Sequence, residues 1–302
     1  MNKTVDVARG RWAGILEALG VDPKFLKNTH GPCPICEGKD RFRFDDKDGD
    51  GTFYCSGCGP GTGFTLLQRL HGWDWAKTAR EVDAIVGNVE VQEIQDKQTE
   101  ADKVAAIKRM MAKAERLKVG SPAWDYLVHR CKIQSAPTDL WSHSGISHPS
   151  DGGTHPAMLA VMRYADGSGS SVHRTFLTPD GWKAALNPPR MVMPGKPING
   201  SCVRLAAAPD GRVGIAEGIE TALSASALFG LPVWAAISAG GLIAWDVPES
   251  IKSVVIFGDN DENFTGQSAA YTLARRLKLS GLDVEVQIPS MTGGDWCDVL
   301  MN

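Results

Sequence analysis

Four cysteines near the start of the chain form two Cys-x-x-Cys pairs, separated by eighteen residues. The first pair is Cys33 and Cys36, and the second is Cys55 and Cys58. Four thiolates in two such pairs close a tetrahedral shell around zinc and leave no open position for a substrate. A thioredoxin-like redox motif is the alternative, but it needs one pair beside a βαβ unit. The spacing therefore predicts a structural zinc ribbon, in which the metal supplies most of the stability.

Basic and aromatic residues alternate between the two cysteine pairs, in the stretch GKDRFRF. A strand period of two places Lys39, Arg41 and Arg43 on one face, and Phe42 and Phe44 on the other. Aligned cations suit a phosphate backbone, and an exposed aromatic ring can stack on a base. The alternative is a small ribbon that buries its aromatic rings and leaves its basic side chains in water. We favour contact with nucleic acid, because of the features found later in the chain.

Carboxylates follow two predicted strands in residues 213–302. Glu217 ends the strand VGIAEG, while Asp259 and Asp261 follow the strand in SVVIFGDND. Strands alternate with helices here, which predicts a parallel sheet with its ligand site at the carboxyl ends of the strands. Oxygen ligands gathered at one edge suit Mg²⁺ or Mn²⁺, which can organise phosphate oxygens for a displacement. The alternative is that Asp and Gly merely favour the turns that follow strands.

The formal net charge of −3 conceals an uneven distribution. Residues 152–209 hold six Lys or Arg against two acids, whereas residues 213–302 hold four against eleven. A basic segment beside an acidic one suits an enzyme that grips phosphates and also binds a divalent metal.

Residues 221–245 carry no charge over 25 positions, which is the length of a membrane span. The segment contains Gly-Leu-Pro, three serines and a Gly-Gly pair, so a helix, a turn and a buried strand explain it better. The first residues show no apolar core of signal-peptide length, and seven cysteines suit a reducing compartment. We therefore expect a cytoplasmic protein.

Three regions of the chain resemble the corresponding regions of a known protein family. HGPCPICEGKDRFRFDDKDG with FYCSGCG resembles the zinc ribbon of phage-type and plasmid-type DNA primases. AEGIETALSA and VIFGDNDEN resemble the Toprim domain, the catalytic fold shared by DnaG-like primases, topoisomerases and some nucleases. The stretch from SVHRTF to CVRLA is similar to the basic lobe that precedes Toprim in such primases.

The resemblance implies a DNA-dependent RNA polymerase that makes short primers with NTPs on a single-stranded DNA template. It implies that Glu217 is an essential acid near the reactive phosphates, and that Asp259 and Asp261 bind the magnesium or manganese ions. Asp295 and Asp298 resemble a later acidic element of Toprim domains, and no role is assigned to them. The side chains expected to bind nucleic acid or triphosphate are Lys39, Arg41, Arg43, His173, Arg174, Lys183, Arg190, Lys196 and Arg204.

The predicted fold is a multidomain α/β chain with a Rossmann-like Toprim domain. Its parts are a zinc-ribbon domain (1–87), a helical linker (88–120), a basic α+β lobe (121–210) and Toprim (211–302). The helicase motif G-x-x-x-x-G-K-[ST] is absent from the sequence, so we expect a separate helicase partner. Two alternatives remain open: a metal-dependent Toprim nuclease, and a DNA-binding replication accessory protein without catalytic activity.

Overall fold

The computed structural model describes residues 3–88 and 99–302, in a chain that divides into two compact units, residues 1–97 and 98–302. The helices of the first unit, within residues 3–88, are α1 (Lys3–Ala8), α2 (Trp12–Ala18), α3 (Gly63–His71) and α4 (Trp75–Ile85). Its strands are β1 (Phe42–Phe44), β2 (Phe53–Cys55) and β3 (Gly59–Gly61), which pair as an antiparallel sheet in the order β1-β2-β3.

The core of the first unit is built where the ribbon meets the helices. Phe42 and Phe53 stack across β1 and β2 with ring centroids 5.3 Å apart. Trp12 of α2 is fully buried in the same cluster. Its ring lies against Gly51 and Gly63, where an added Cβ would come within 2.6 Å and 2.3 Å of Trp12 atoms. The two glycines therefore let the tryptophan reach the ribbon.

The second unit contains the remaining elements of the described chain. Its helices are α5 (Glu100–Met111), α6 (Pro122–Cys131), α7 (Ile219–Phe229), α8 (Ala239–Ala244), α9 (Thr265–Leu279) and α10 (Trp296–Met301). Its strands are β4 (Glu115–Arg116), β5 (Leu140–Ser147), β6 (Thr154–Arg163), β7 (Gly169–Phe176), β8 (Arg190–Val192), β9 (Cys202–Val203), β10 (Arg212–Ala216), β11 (Val233–Ala235), β12 (Ser253–Phe257) and β13 (Asp283–Gln287).

One mixed sheet runs through this unit. Its last part is parallel, in the order β13-β12-β10-β11, and β9 joins β11 in the antiparallel direction. Beyond β9 the sheet continues through β6, β5 and β4. Strand β7 also pairs with β6, and β8 pairs with β7. Buried Val, Ile and Ala residues fill the parallel strands, as expected for strands covered on both faces. The predicted α/β fold class with a Rossmann-like last domain is confirmed.

The predicted helical linker over 88–120 falls partly on residues 89–98, which lie outside the described residues. Within its described part, α5 begins after Thr99, whose side chain caps the helix by accepting the amide of Asp102 at 3.1 Å. Ile107 and Met110 pack against the buried face formed by β5, β6 and β7. This helix is therefore part of the second unit, and one of its sides contacts the sheet.

The uncharged segment 221–245 contains most of α7, a turn and β11, which are the predicted helix, turn and strand, and a second helix, α8, follows them. Gly230 ends α7 with φ +65°, a left-handed conformation that glycine adopts without strain. In the part of the chain that the structure describes, none of the helices combines the length and the apolar character needed to span a bilayer.

Candidate zinc site and active site

The four cysteine sulfurs of the ribbon form a compact set, in which all atoms lie within 4.8 Å of one another. The Sγ atoms of Cys33 and Cys58 are 3.8 Å apart, and so are those of Cys36 and Cys55. A tetrahedral site with Zn–S bonds of about 2.3 Å separates its sulfurs by about 3.8 Å. Backbone amides donate to two of the sulfurs, those of Cys33 and Cys55, at 3.4 Å. The donor set therefore fits structural zinc.

Arg41 packs on the two cysteine turns. An added Cβ at Gly38 would lie 2.2 Å from its Nε, and one at Gly57 would lie 2.9 Å from its Nη1. Because β1 begins at Phe42, Lys39 and Arg41 precede the strand. Their predicted alignment with Arg43 along one strand is therefore wrong, and the contact of all three with nucleic acid stays a prediction.

Arg43 and Tyr54 share the outer face of the ribbon. They are direct partners in the β1–β2 register, opposite the buried pair of phenylalanines. The Arg43 side chain is 41% exposed and lies 3.5 Å from Asp45, and Tyr54 is 47% exposed. Tyr54 is not among the residues predicted to bind nucleic acid, although its position between buried Phe53 and Cys55 in a strand gives it an outward side chain.

The candidate catalytic carboxylates come from two neighbouring parallel strands. Glu217 directly follows β10, and Asp259 and Asp261 follow β12. The register pairs Ala216 with Phe257, so both strands end at the same edge of the sheet. The structure thereby places Glu217 and the two aspartates where their charges interact.

Burial and mutual repulsion act together on these acids. Burial raises the pKa of Glu217, and the negative charge of Asp261 adds to the rise. Burial and then the charge of Glu217, followed by Asp295, raise the pKa of Asp259 to about 7. Oδ1 of Asp259 is buried and has no hydrogen-bond partner among the described residues. A site that disfavours its own negative charges in this way is suited to a cation.

A glycine lets α9 approach these acids. Asp261 Oδ2 accepts the amide of Gly266 at 2.8 Å, and Gln267 Nε2 donates to Asn260 at 2.7 Å. An added Cβ at Gly266 would lie 2.7 Å from the backbone oxygen of Asp259, closer than Cβ atoms come in practice. The helix start and the acidic loop therefore fit together only with glycine at this position.

We expect Gly266→Ala to lower catalytic turnover about tenfold or more, because even a 1 Å displacement of a reacting group is costly. Gly240→Ala in α8 is the matched control, because an added Cβ there meets no atom within 4 Å. The kcat values of both variants, measured on protein with wild-type circular dichroism, test this. Equal activity of the two variants would contradict it.

Asp295 and Asp298 form a capping box at the start of α10. Asp295 Oδ1 accepts the amide of Asp298 at 2.9 Å, and Asp298 Oδ2 accepts the amide of Asp295 at 3.1 Å. Their charges also contribute to the raised pKa of Asp259. The two residues therefore stabilise a helix end beside the acidic site.

Arg190 links the basic lobe to the acids. Its Nη2 donates to Glu220 Oε1 at 2.8 Å, and Tyr126 Oη donates to the same oxygen. Burial opposes ionisation of Glu220, but attraction to Arg190 and the Tyr126 hydrogen bond outweigh it, so the pKa of Glu220 is lowered. The Arg190 charge also favours ionised Glu217. Sequence reasoning missed Glu220 and Tyr126.

The other predicted basic residues lie in different surroundings. His173 is buried on β7, and burial lowers its pKa to about 4. Arg174 lies on the opposite face of β7, above the Phe176 ring at 5.6 Å. Lys183 is exposed, and burial of its stem and then repulsion by Arg190 lower its pKa. Lys183 and Arg190 therefore form the basic group next to Glu220.

Arg204 and Lys196 lie near the turn that joins β6 to β7. Arg204 Nη2 donates to the carbonyls of Tyr164 and Ala165 at 2.7 and 2.8 Å, and its guanidinium lies 5.0 Å from the Trp234 ring centroid. Lys196 is half-buried, and its amide donates to Ser170 at 3.0 Å. The contacts of Arg204 hold the β6–β7 turn, and the binding roles of both residues stay predictions.

Comparison with protein families identifies both ends of the chain. Residues 28–64 match the zinc-binding domain of primase-helicase, and residues 212–302 match the Toprim domain. The chain therefore carries a zinc-binding domain of the primase-helicase type and a Toprim domain. Between these domains, residues 101–205 match a domain of unknown function, DUF7146. The predicted resemblance to zinc-ribbon and Toprim primases is confirmed.

Solved primases are similar to this chain at low identity. The Aquifex aeolicus primase, in its zinc-binding and RNA polymerase domains, is 14% identical with a TM-score of 0.44, and the match covers 100% of this chain and 82% of that one. The primase fragment of the bacteriophage T7 primase-helicase protein is 13% identical with a TM-score of 0.41, over 91% and 94%. Residue roles therefore depend on the geometry described above.

Proposed function

We propose that this chain is a DNA primase that synthesises short RNA primers on single-stranded DNA, with Mg²⁺ or Mn²⁺ as cofactor. The observation that supports this best is the group of buried, mutually repelling carboxylates Glu217, Asp259 and Asp261 at the carboxyl edge of the sheet. The primase-type ribbon adds a nucleic-acid-binding module on the same chain. Template-directed nucleotidyl transfer needs both functions.

The three carboxylates are the residues that would hold the divalent cation. Their oxygens suit Mg²⁺, and Oδ1 of Asp259, which has no hydrogen-bond partner within the described residues, is free to act as a metal ligand. Such an ion stabilises the charge that develops on phosphate oxygens.

The basic group beside the acids suits the triphosphate. In primer extension, the 3′-hydroxyl oxygen forms a bond to the α-phosphorus, and the bond to the β-phosphate oxygen breaks to release pyrophosphate. Arg190 is held at one end by Glu220 and is still 42% exposed, so its guanidinium can donate to phosphate oxygens. Lys183 adds a second cation nearby.

The test is a template-dependent synthesis assay. Zinc-loaded protein is mixed with single-stranded DNA of mixed sequence, labelled NTPs, and Mg²⁺ or Mn²⁺. Short labelled products that require the template support the proposal. Strand breakage in the same reactions would favour the nuclease alternative instead. Template binding without synthesis would favour the accessory protein, provided that adding a replicative helicase, the expected partner, does not restore synthesis.

We expect Tyr54→Ala to weaken template binding about tenfold, because stacking on a base contributes about 1–3 kcal/mol. Arg43→Ala should also weaken template binding. It should reduce the slope of log K against log salt concentration by about 1, which corresponds to the loss of one phosphate contact. Fluorescence anisotropy with labelled single-stranded DNA at several salt concentrations measures both effects. Lys24→Ala, another exposed cation of the first unit, is the control. Binding unchanged in both test variants would exclude this face as the template contact.

A further inference from the structure

Glu220 and Tyr126 form a buried polar network at one end of the Arg190 side chain. Glu220 Oε1 accepts from both Arg190 Nη2, at 2.8 Å, and the Tyr126 hydroxyl. The Glu220 side chain is only 8% exposed, and Tyr126 is fully buried. A buried carboxylate that receives two hydrogen bonds on one oxygen fixes the positions of both donors.

The network lies directly beside the catalytic acids. Glu220 stands in the first turn of α7, three residues after Glu217. Arg190 interacts electrostatically with both glutamates. Tyr126 comes from α6 and Arg190 from β8, so three separate elements meet at one carboxylate.

We propose that Glu220 and Tyr126 are positioning residues that orient the Arg190 guanidinium for binding the phosphate chain of the incoming nucleoside triphosphate. The inference rests on the proposed primase function. Without its Glu220 partner, the flexible arginine would be drawn to the neighbouring Glu217 carboxylate and would occupy the place of the cation and the phosphates. An arginine fixed before the ligand arrives also loses less conformational entropy on binding.

Two simpler roles for Glu220 predict different results. If Glu220 only neutralised Arg190, its removal would make the site more positive and would tighten triphosphate binding. If Glu220 only stabilised the fold, its removal would lower stability and leave the KM for NTPs unchanged. The positioning role alone predicts weaker triphosphate binding in correctly folded protein.

The chain offers a matched control in the pair formed by Arg163 and Asp139. The shortest contact between their side chains is 2.7 Å, and the Asp139 side chain is 6% exposed, similar to Glu220. This pair joins β6 to the segment before β5. Asp139→Asn therefore removes a comparable buried charge from another ion pair of the same unit.

The experiment compares Glu220→Gln, Tyr126→Phe and Asp139→Asn with the wild type in primer synthesis at saturating template. We expect Glu220→Gln to raise the KM for NTPs about tenfold with a smaller change in kcat, the size of one charge-assisted hydrogen bond. Tyr126→Phe should raise it about threefold, and Asp139→Asn should leave it unchanged. Binding of inorganic tripolyphosphate with Mg²⁺, measured by calorimetry, should weaken in the same order.

An unchanged or lower KM in Glu220→Gln, with equal tripolyphosphate binding, would overturn the proposal. If Glu220→Gln does not fold, an unchanged KM in folded Tyr126→Phe overturns it instead. If the wild type makes no primers even with a replicative helicase present, the proposed function fails. The tripolyphosphate measurement then still decides the role of Glu220, because weaker binding in the variant supports positioning and equal binding excludes it.

Discussion

Glu217→Gln and Asp259→Asn are each expected to reduce primer synthesis by roughly a hundred- to a thousandfold while leaving the protein folded. Both residues lie at the carboxyl edge of the parallel sheet, where burial and like charges raise their pKa. Each amide is close in shape to the acid it replaces but supplies no negative charge for the cation. The loss should appear in kcat, because charge stabilisation is needed most in the transition state.

The same replacements should stabilise the metal-free protein. Asp259 has a raised pKa of about 7, so its ionised form is disfavoured in the folded state. Removing this charge is worth about 1 kcal/mol or more, which raises the melting temperature by roughly 2–4 °C for a unit of this size. Calorimetry at pH 8 with chelator measures the shift. Glu262→Gln, an exposed acid in the same loop, is the control for both activity and stability.

Retained primer synthesis in Glu217→Gln or Asp259→Asn would exclude these acids from the active site. A lower melting temperature in Asp259→Asn would show that the carboxylate has a stabilising partner instead of repelling neighbours. Activity and stability that move in opposite directions distinguish a functional site from a structural one.

The sequence predicted the parts of the site that depend on local spacing. Two Cys-x-x-Cys pairs determine where thiolates meet, whatever lies between them, so the zinc site followed from the cysteine positions. Glu217 and Asp259 end strands of a βαβ pattern, and parallel strands end at a common edge. Periodicity and chain order therefore predict both features without knowledge of long-range contacts.

The partners of the basic residues could not be predicted in this way. Arg41 packs across the glycines of both cysteine turns, and Arg204 is bound by two carbonyls of a distant turn. Glu220 meets an arginine thirty residues earlier in the chain and a tyrosine ninety-four residues earlier. The contacts of Glu220 depend on the tertiary packing of α6, α7 and β8, and such packing leaves no periodic signal in the sequence. The only sequence signal for Glu220 is weak: it is a second acid three residues after Glu217 in the stretch AEGIET.

Removing zinc, or replacing Cys55 with Ser, is expected to unfold the ribbon and abolish template-dependent primer starts. The ribbon strands are three residues long, which is too short to be stable without further support. Zinc bound by four thiolates supplies about 10 kcal/mol or more to such a module. Cys33 and Cys55 are also buried within the apolar cluster of the first unit, so losing the metal exposes that core.

The second unit should remain folded after zinc is lost, because it has hydrophobic clusters of its own. Hydrogen exchange measured by mass spectrometry on the full chain separates the two units, and rapid exchange should be confined to the first. Cys202→Ala is the control, because this buried cysteine belongs to a cluster of the second unit and should leave zinc content unchanged. Protection of the ribbon amides in zinc-free protein would mean that packing against α2 and α3 suffices. Unfolding of both units together would mean that the stability of the second unit depends on the ribbon.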